Sequence, residues 1–308
     1  MYVPTRMNND VSILSVFHSP LTKELLEINQ ALIARLNPGS EHQWLVGQNF
    51  EERAGALASF KEKNTRVVAG AVGYRHDVLS WLRGSYRHGE GLQTLAPLVR
   101  TRFFIILDPD FFIIRPHWIQ ELTHAMTTKG LSFFGAPFNP KRFPLYRYFP
   151  SVNFMAIDSS RVDKSSLDFS PGYRGQEKEK HAWLFQRRMK ILLGGRAGIG
   201  KRRETGFYIY RQYHDTHTNE CIQPVFSQKP GWLDRILPEQ LSHVPHKKGY
   251  STSQGFNHYG FPDLRSEFGW EEYIYHDAPY AFHMQGGKEE KNMTQAMAVR
   301  QILQRIRL

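Results

Sequence analysis

A single cysteine, Cys221, among 308 residues excludes an intrachain disulfide and leaves too little sulfur for a thiolate zinc cage. The expectation is a reducing, cytoplasmic compartment, with that thiol buried and inert. Long apolar runs are missing as well. No segment approaches the roughly 18 uninterrupted apolar residues of a membrane-spanning helix, and Met1 to Asp10 lacks the apolar core of a secretory signal. Neither secretion nor a membrane span is expected. Acidic residues are in deficit: 29 Asp and Glu against 40 Lys and Arg leave a net charge of +11. That field attracts nucleic acid, anionic lipid or phosphate-bearing substrates without choosing among them. Low-complexity tracts are absent, and a hydrophobic content of 41% suffices for a large core, so disorder is excluded as the theme.

What is there begins with alternating strand and helix signals. Val11-Ser-Ile-Leu-Ser-Val-Phe17 predicts a buried strand, and Ser19-Pro20 supplies a helix cap with proline in the first turn. Leu25, Ile28, Leu32 and Leu36 follow at helical spacing until Asn37-Pro-Gly39 stops the run. Gln43–Gly47 predicts a second strand, Glu51 to Lys63 a helix, and Arg66–Gly70 a third strand. A further helix is expected from about Gly91, with Leu92, Leu95 and Val99 on one face, leading into a fourth strand; Pro97 either kinks it or marks a later start. Later signals are a helix at His117 to Thr128, strands at Leu131–Phe134 and Val152–Ile157, and a basic terminal helix from Asn292 with Met297, Ile302 and Ile306 on one side. The pattern predicts an α/β fold, an open and mostly parallel sheet flanked by helices, whose ligands bind at the carboxyl ends of the strands.

The fourth strand carries the most informative residues. Arg102-Phe-Phe-Ile-Ile-Leu-Asp-Pro-Asp110 is an apolar strand ending in two carboxylates, followed at once by Phe111-Phe-Ile-Ile114. Burying an unpaired carboxylate costs several kcal/mol, so two beside so much apolar surface need a cation, strong donors or an open rim. Pro109 cannot donate to a ladder, so the strand breaks there and splays Asp108 and Asp110 into a crevice, a geometry that suits a hard divalent cation.

Together, Val11–His18, Gly91-Leu-Gln-Thr-Leu95 and Phe104-Ile-Ile-Leu-Asp-Pro-Asp110 resemble the nucleotide-sugar-dependent glycosyltransferases of the GT-A fold, in particular the family 2-like bacterial enzymes. The resemblance covers roughly the first 160 residues and thins beyond them. It implies a Rossmann-like half at residues 1–158 that binds a nucleoside-diphosphate sugar, and an acceptor-side region at 159–308 with a basic loop and the C-terminal helix. It implies an Mn2+ or Mg2+ ion held by Asp110, with Asp108 on sugar or ribose hydroxyls or on the metal, and a late histidine, His283, as third ligand, His276 competing. Glu204, in Glu-Thr-Gly206, occupies the position of the base for an inverting transfer, with Asp215 and Asp158 in reserve. A carboxylate there is also a plain helix cap. At the strand ends Phe17, His18 and Asn49 are placed for the base, a core aromatic and a surface histidine being the alternatives for Phe17 and His18; related enzymes carry an acidic residue where this chain has Asn49, which leaves the donor's identity open. His88 and Gly91 are nucleotide-site candidates because glycines let backbone amides approach a phosphate; a simple turn is the alternative. His214 and His217, flanking Asp215, fit an exposed polar turn.

The implied partners are the sugar donor and a glycan or lipid-linked acceptor, with no nucleic acid. Arg187, Arg188, Lys190, Arg196, Lys201, Arg202 and Arg203 form either a solvated face or a contact with anionic lipid at the inner face of the cell membrane. Two other classes stay open. A haloacid dehalogenase-type phosphohydrolase also ends a strand in Asp-x-Asp, but in its first strand. Nucleic-acid binding would explain the charge, yet no recognised module accompanies it.

Overall fold

Seven residues without an exposed side chain, Val11–Phe17, form β1, and a strand buried on both faces belongs inside a sheet covered on both sides. In the computed structural model, which describes residues 11–49, 57–70, 83–139, 148–171, 205–226, 231–236, 244–284 and 289–306, β1 lies between β2 (His42–Gln48) and β4 (Phe103–Leu107), parallel to both. Beyond β2 lies β3 (Thr65–Ala69), also parallel. On the other side β7 (Phe154–Asp158) runs antiparallel to β4, β6 (Phe133–Gly135) antiparallel to β7, and β8 (Asn219–Cys221) parallel to β6. The seven-stranded order is 3-2-1-4-7-6-8, the open and mostly parallel sheet that the sequence predicts. A second, antiparallel sheet has the order 5-11-10-9, from β5 (Phe111–Ile113), β11 (Ala278–His283), β10 (Glu271–Tyr275) and β9 (Gln223–Pro224). Strands from either side of residue 158 enter both sheets.

Helices cover the large sheet as its side chains require. α1 (Pro20–Leu36) opens on a capping box between Ser19 and Thr22 and closes where Asn37 donates back to the Ile33 carbonyl at 3.0 Å. Its Leu26 and Ile33 pack on one face of the sheet with Ile13, Trp44 and Ile105, together with Trp118, Ile119, Leu122 and Met126 of α3 (Trp118–Lys129). The opposite face receives Leu92 and Leu95 of α2 (Arg83–Leu95) against Leu14, Val16, Leu45, Phe104 and Ile106. Successive residues of β4 thus enter different clusters, the period of two that a doubly covered strand requires. The other flank of α1, Leu21, Leu25, Leu32 and Leu36, packs with Phe112 and Phe282 of the second sheet and with Val299, Ile302 and Leu303 of the C-terminal helix Glu289–Arg305.

Several expectations shift. Residues 57–63, placed in a helix from the sequence, are irregular. The helix before β4 spans Arg83–Leu95 rather than beginning near Gly91; its N-terminal turns lack an apolar stripe, which hid them. Pro97 lies in a short 3-10 turn, Ala96–Leu98, beyond the α-helix. Met297 is 64% exposed, and the buried stripe of the C-terminal helix is Ala296, Val299, Ile302 and Leu303. The basic residues 187–203 and Glu204 lie outside the described residues. No helix of the described residues is long and apolar enough to cross a membrane.

Asp158 ends β7, paired with Phe103 at the start of β4 and so at the opposite end of the sheet from Asp108. Its carboxylate has no exposed surface; Arg102 donates through Nη2 at 2.8 Å, and Ser160 through its amide at 3.0 Å and hydroxyl at 2.6 Å. Burial alone would raise its pKa, but these bonds outweigh burial and hold it below the usual carboxylate range. A depressed carboxylate stabilises the fold above its unfolded pKa of about 3.9, and the contribution is lost as pH falls through the lower folded value. Arg102→Ala should therefore cost about 2–3 kcal/mol at neutral pH. In urea titrations, the gap in unfolding free energy between wild type and Asp158→Asn should close as pH drops below about 4.

Candidate functional site

In a sheet of order 3-2-1-4 the strand order reverses between β1 and β4, and in open α/β sheets ligands bind outside the carboxyl ends of the strands at such a point. On its β4 side Asp108-Pro-Asp-Phe111 forms a tight turn. The Phe111 amide donates to the Asp108 carbonyl at 3.1 Å, with Asp first and Pro second, the preference of a type I turn. Both shoulders of the turn are fastened. The Asp108 amide donates to Asn153 at 2.9 Å, the Met284 amide donates to the Asp110 carbonyl at 3.0 Å, and Asn29 of α1 donates to the Phe111 carbonyl at 2.7 Å. The chain leaves the turn as β5, a strand of the other sheet.

That change of sheet brings in the histidine. β5 pairs with β11 so that His283 stands opposite Phe111, which seats the imidazole beside Asp110, with Nε2 3.5 Å from Oδ1. Asp108, Asp110 and His283 each offer a ligand atom, and these atoms lie within 4.8 Å of one another. Ligands of one octahedral ion with bonds of ~2.1 Å are ~3 Å apart when adjacent and ~4.2 Å when opposite, so side-chain adjustments of a few tenths of an ångström bring the three into a single coordination shell. Their side chains are 18%, 27% and 15% exposed, neither sealed in the core nor free in solvent. Two carboxylates and an imidazole form a donor set that could hold a divalent cation such as Mg2+ or Mn2+.

Behind this trio, His88 of α2 sets Nε2 3.0 Å from Asp108 Oδ1. His18, at the carboxyl end of β1, joins the same electrostatic neighbourhood. Crowding of its ring and the nearby His88 lower its pKa, against the raising pull of Asp110 and Asp108, although solvent reaches much of the residue. For His283 the balance is reversed. Burial would lower its pKa, but the carboxylates of Asp110 and Glu271 raise it well above the usual imidazole value. Glu271 Oε2 accepts from His283 Nδ1 at 2.9 Å. The sequence did not single out Glu271, whose only signal is its place across the hairpin from His283.

The remaining sequence candidates fall in different places. Phe17 is 1% exposed and packs edge-on to Phe60 at 5.8 Å, so its ring belongs to the core rather than to an open base site. Asn49, just past β2, donates through Nδ2 to the Arg87 carbonyl, while its Oδ1 is buried without a hydrogen-bond partner among the described residues. Gly91 lies inside α2, where a Cβ would stand 2.8 Å from Val16 and 2.9 Å from Asn49, so it serves the close approach of helix to sheet. Thr205 donates to the Ser85 carbonyl at 2.8 Å, which ties the start of α4 (Phe207–Tyr213) to the first turns of α2. Asp215 pairs with His214 at 2.9 Å beyond the far end of α4. His276 occupies the β10–β11 turn, at the other end of the hairpin from His283, and is 62% exposed.

No protein-family model and no curated protein matches the sequence. Solved structures similar to it include S. aureus TarS 1-349, at 11% identity and a TM-score of 0.36, covering 55% of this chain and 53% of that one. Mannosyltransferase PcManGT from Pyrobaculum calidifontis, in complex with GDP-Man and Mn2+, gives 10% identity and 0.34 over 51% and 46%. The galactosyltransferase LgtC, in complex with donor and acceptor sugar analogs, gives 13% identity and 0.33 over 51% and 62%. The likeness thus takes in about half the length of those chains.

Gly91→Ala should lower the unfolding free energy by about 1–3 kcal/mol, the usual cost of overpacking. Urea denaturation followed by circular dichroism measures it, and an unchanged midpoint would mean that α2 sits less tightly on β1.

Proposed function

We propose that the protein is a divalent-metal-dependent glycosyltransferase that moves a sugar from a nucleoside diphosphate to a cell-surface glycan or its lipid-linked precursor. The observation that carries this reading is the convergence of Asp108, Asp110 and His283 at the carboxyl end of a parallel sheet, beside the point where the strand order reverses. An Mn2+ or Mg2+ ion bound there supplies a Lewis acid that neutralises charge on the departing diphosphate.

The chain's own groups divide the remaining work. Asp110 and His283 fix the position of the donor's diphosphate end. His88 holds one oxygen of Asp108, which leaves the other for the ion or for a sugar or ribose hydroxyl. His18, with its lowered pKa, presents a neutral imidazole to the donor, and Asn49, just past the end of β2, is the proposed contact for the base. Glu204, next to the anchored Thr205, is the proposed base that takes the acceptor hydroxyl's proton as the anomeric carbon is attacked with inversion. The +11 charge favours both the diphosphate and an acceptor at the cytoplasmic face of an anionic membrane. The phosphohydrolase and nucleic-acid alternatives gain no support from the comparisons.

A thermal-shift panel of UDP, GDP, CMP and dTDP tests the donor class. One nucleotide should stabilise the protein only with Mn2+ present, by about 2.7 kcal/mol at 100 times its dissociation constant. No nucleotide effect, or one indifferent to metal, overturns the reading. Asp110→Asn should reduce transfer at least ~100-fold, about 2.7 kcal/mol in the barrier, with the melting temperature unchanged. Glu204→Gln should spare donor binding and abolish transfer; a collapse of donor affinity would move Glu204 to the donor side.

A further inference from the structure

Glu271 is a 9% exposed carboxylate on β10 that stands outside the ligand trio yet touches one of its members. In the β10–β11 ladder it is the direct cross-strand partner of His283, so the two side chains share a face of the sheet. Its Oε2 accepts from His283 Nδ1 at 2.9 Å and from the Tyr273 hydroxyl at 3.1 Å. Tyr273 is itself 1% exposed and packed against Phe111, ring centroids 5.4 Å apart. Phe111 also lies 5.7 Å from the His283 ring, bounding one side of it. The imidazole is therefore tethered at Nδ1 and flanked by an aromatic ring, with Nε2 left toward Asp110.

We propose that Glu271, buttressed by Tyr273, is a positioning residue that fixes the tautomer and orientation of His283 so that Nε2 is presented to the metal. This rests on the metal-site reading of Asp108, Asp110 and His283. A ring nitrogen ligates only with its lone pair free, and a proton held on Nδ1 by a carboxylate secures that for Nε2 while making the ring a better donor. A buried glutamate on a neighbouring strand needs a partner for its charge, and the histidine supplies one in the same stroke.

The test is Mn2+ affinity of the full chain without nucleotide, from the electron paramagnetic resonance signal of free Mn2+, with apo melting temperature as the control for folding. Wild type should bind one Mn2+, His283→Ala should lose most of that affinity, and Glu271→Ala should bind about 10–100-fold more weakly. Glu271→Gln keeps an oxygen that can accept from Nδ1 and should lose only about 2–5-fold, a graded pattern that a packing role would not produce. If Glu271→Ala does not fold, Glu271→Gln and Tyr273→Phe carry the test through weakened Mn2+ binding at an unchanged melting temperature. Wild-type affinity in the Glu271 variants while His283→Ala is impaired overturns the positioning role alone. Absence of Mn2+ binding by wild type overturns the metal site and this inference with it.

Discussion

The pairing of β5 with β11 is the constraint on which the site depends. β4 delivers Asp108 and Asp110 from one sheet, but the next three residues hydrogen-bond in another, and only that ladder sets His283 beside them. The turn between is held by backbone hydrogen bonds to Asn153 and Met284, so the carboxylates need take no part in securing it. Buried apolar surface does the rest: Phe111 and Ile113 face the core shared with the large sheet, and Phe112 and Ile114 face α1 and the C-terminal helix. Slipping β5 by one residue would exchange those faces, so the hydrophobic pattern that builds the core also fixes where His283 stands relative to the two aspartates.

Other carboxylates of the molecule make the contrast clear. Asp158 is wrapped by Arg102 and Ser160. Glu272 is 1% exposed and accepts from the backbone amides of Phe256, Leu264 and Arg265, pinning two loops to β10; its burial raises its pKa despite those bonds. Each has its lone pairs occupied by donors of the fold. Among the described residues, the ion-pair partners of Asp108 and Asp110, both partly exposed, are imidazoles rather than guanidinium groups. Imidazole can exchange its proton for a metal, whereas guanidinium cannot.

Much of this was legible in the residues. The β1–α1 unit follows directly from Val11–Phe17, the Ser19-Pro20 cap and the Asn37-Pro-Gly39 stop, because local chemistry and burial agree there. The acidic turn could be read because Pro109 interrupts an otherwise continuous apolar run. Glu271 could not. The β10–β11 hairpin turns at His276 and Asp277, both at positive φ without the glycine that marks such turns. A bulge between Tyr273 and Ile274 then shifts the register, so a regular count from the turn would set Trp270, not Glu271, across from His283. Gly91 misled for a related reason: glycine in the middle of a helix answers to the neighbouring strand, and no local pattern reports that distance.

The separation of Asp108 and Asp110 from His283 spans more than half of the chain. While a ribosome is still synthesising the middle of the polypeptide, the two aspartates are present but the imidazole is not, and two isolated carboxylates retain a divalent ion poorly. The three side chains therefore come together only once the second sheet closes, late in synthesis.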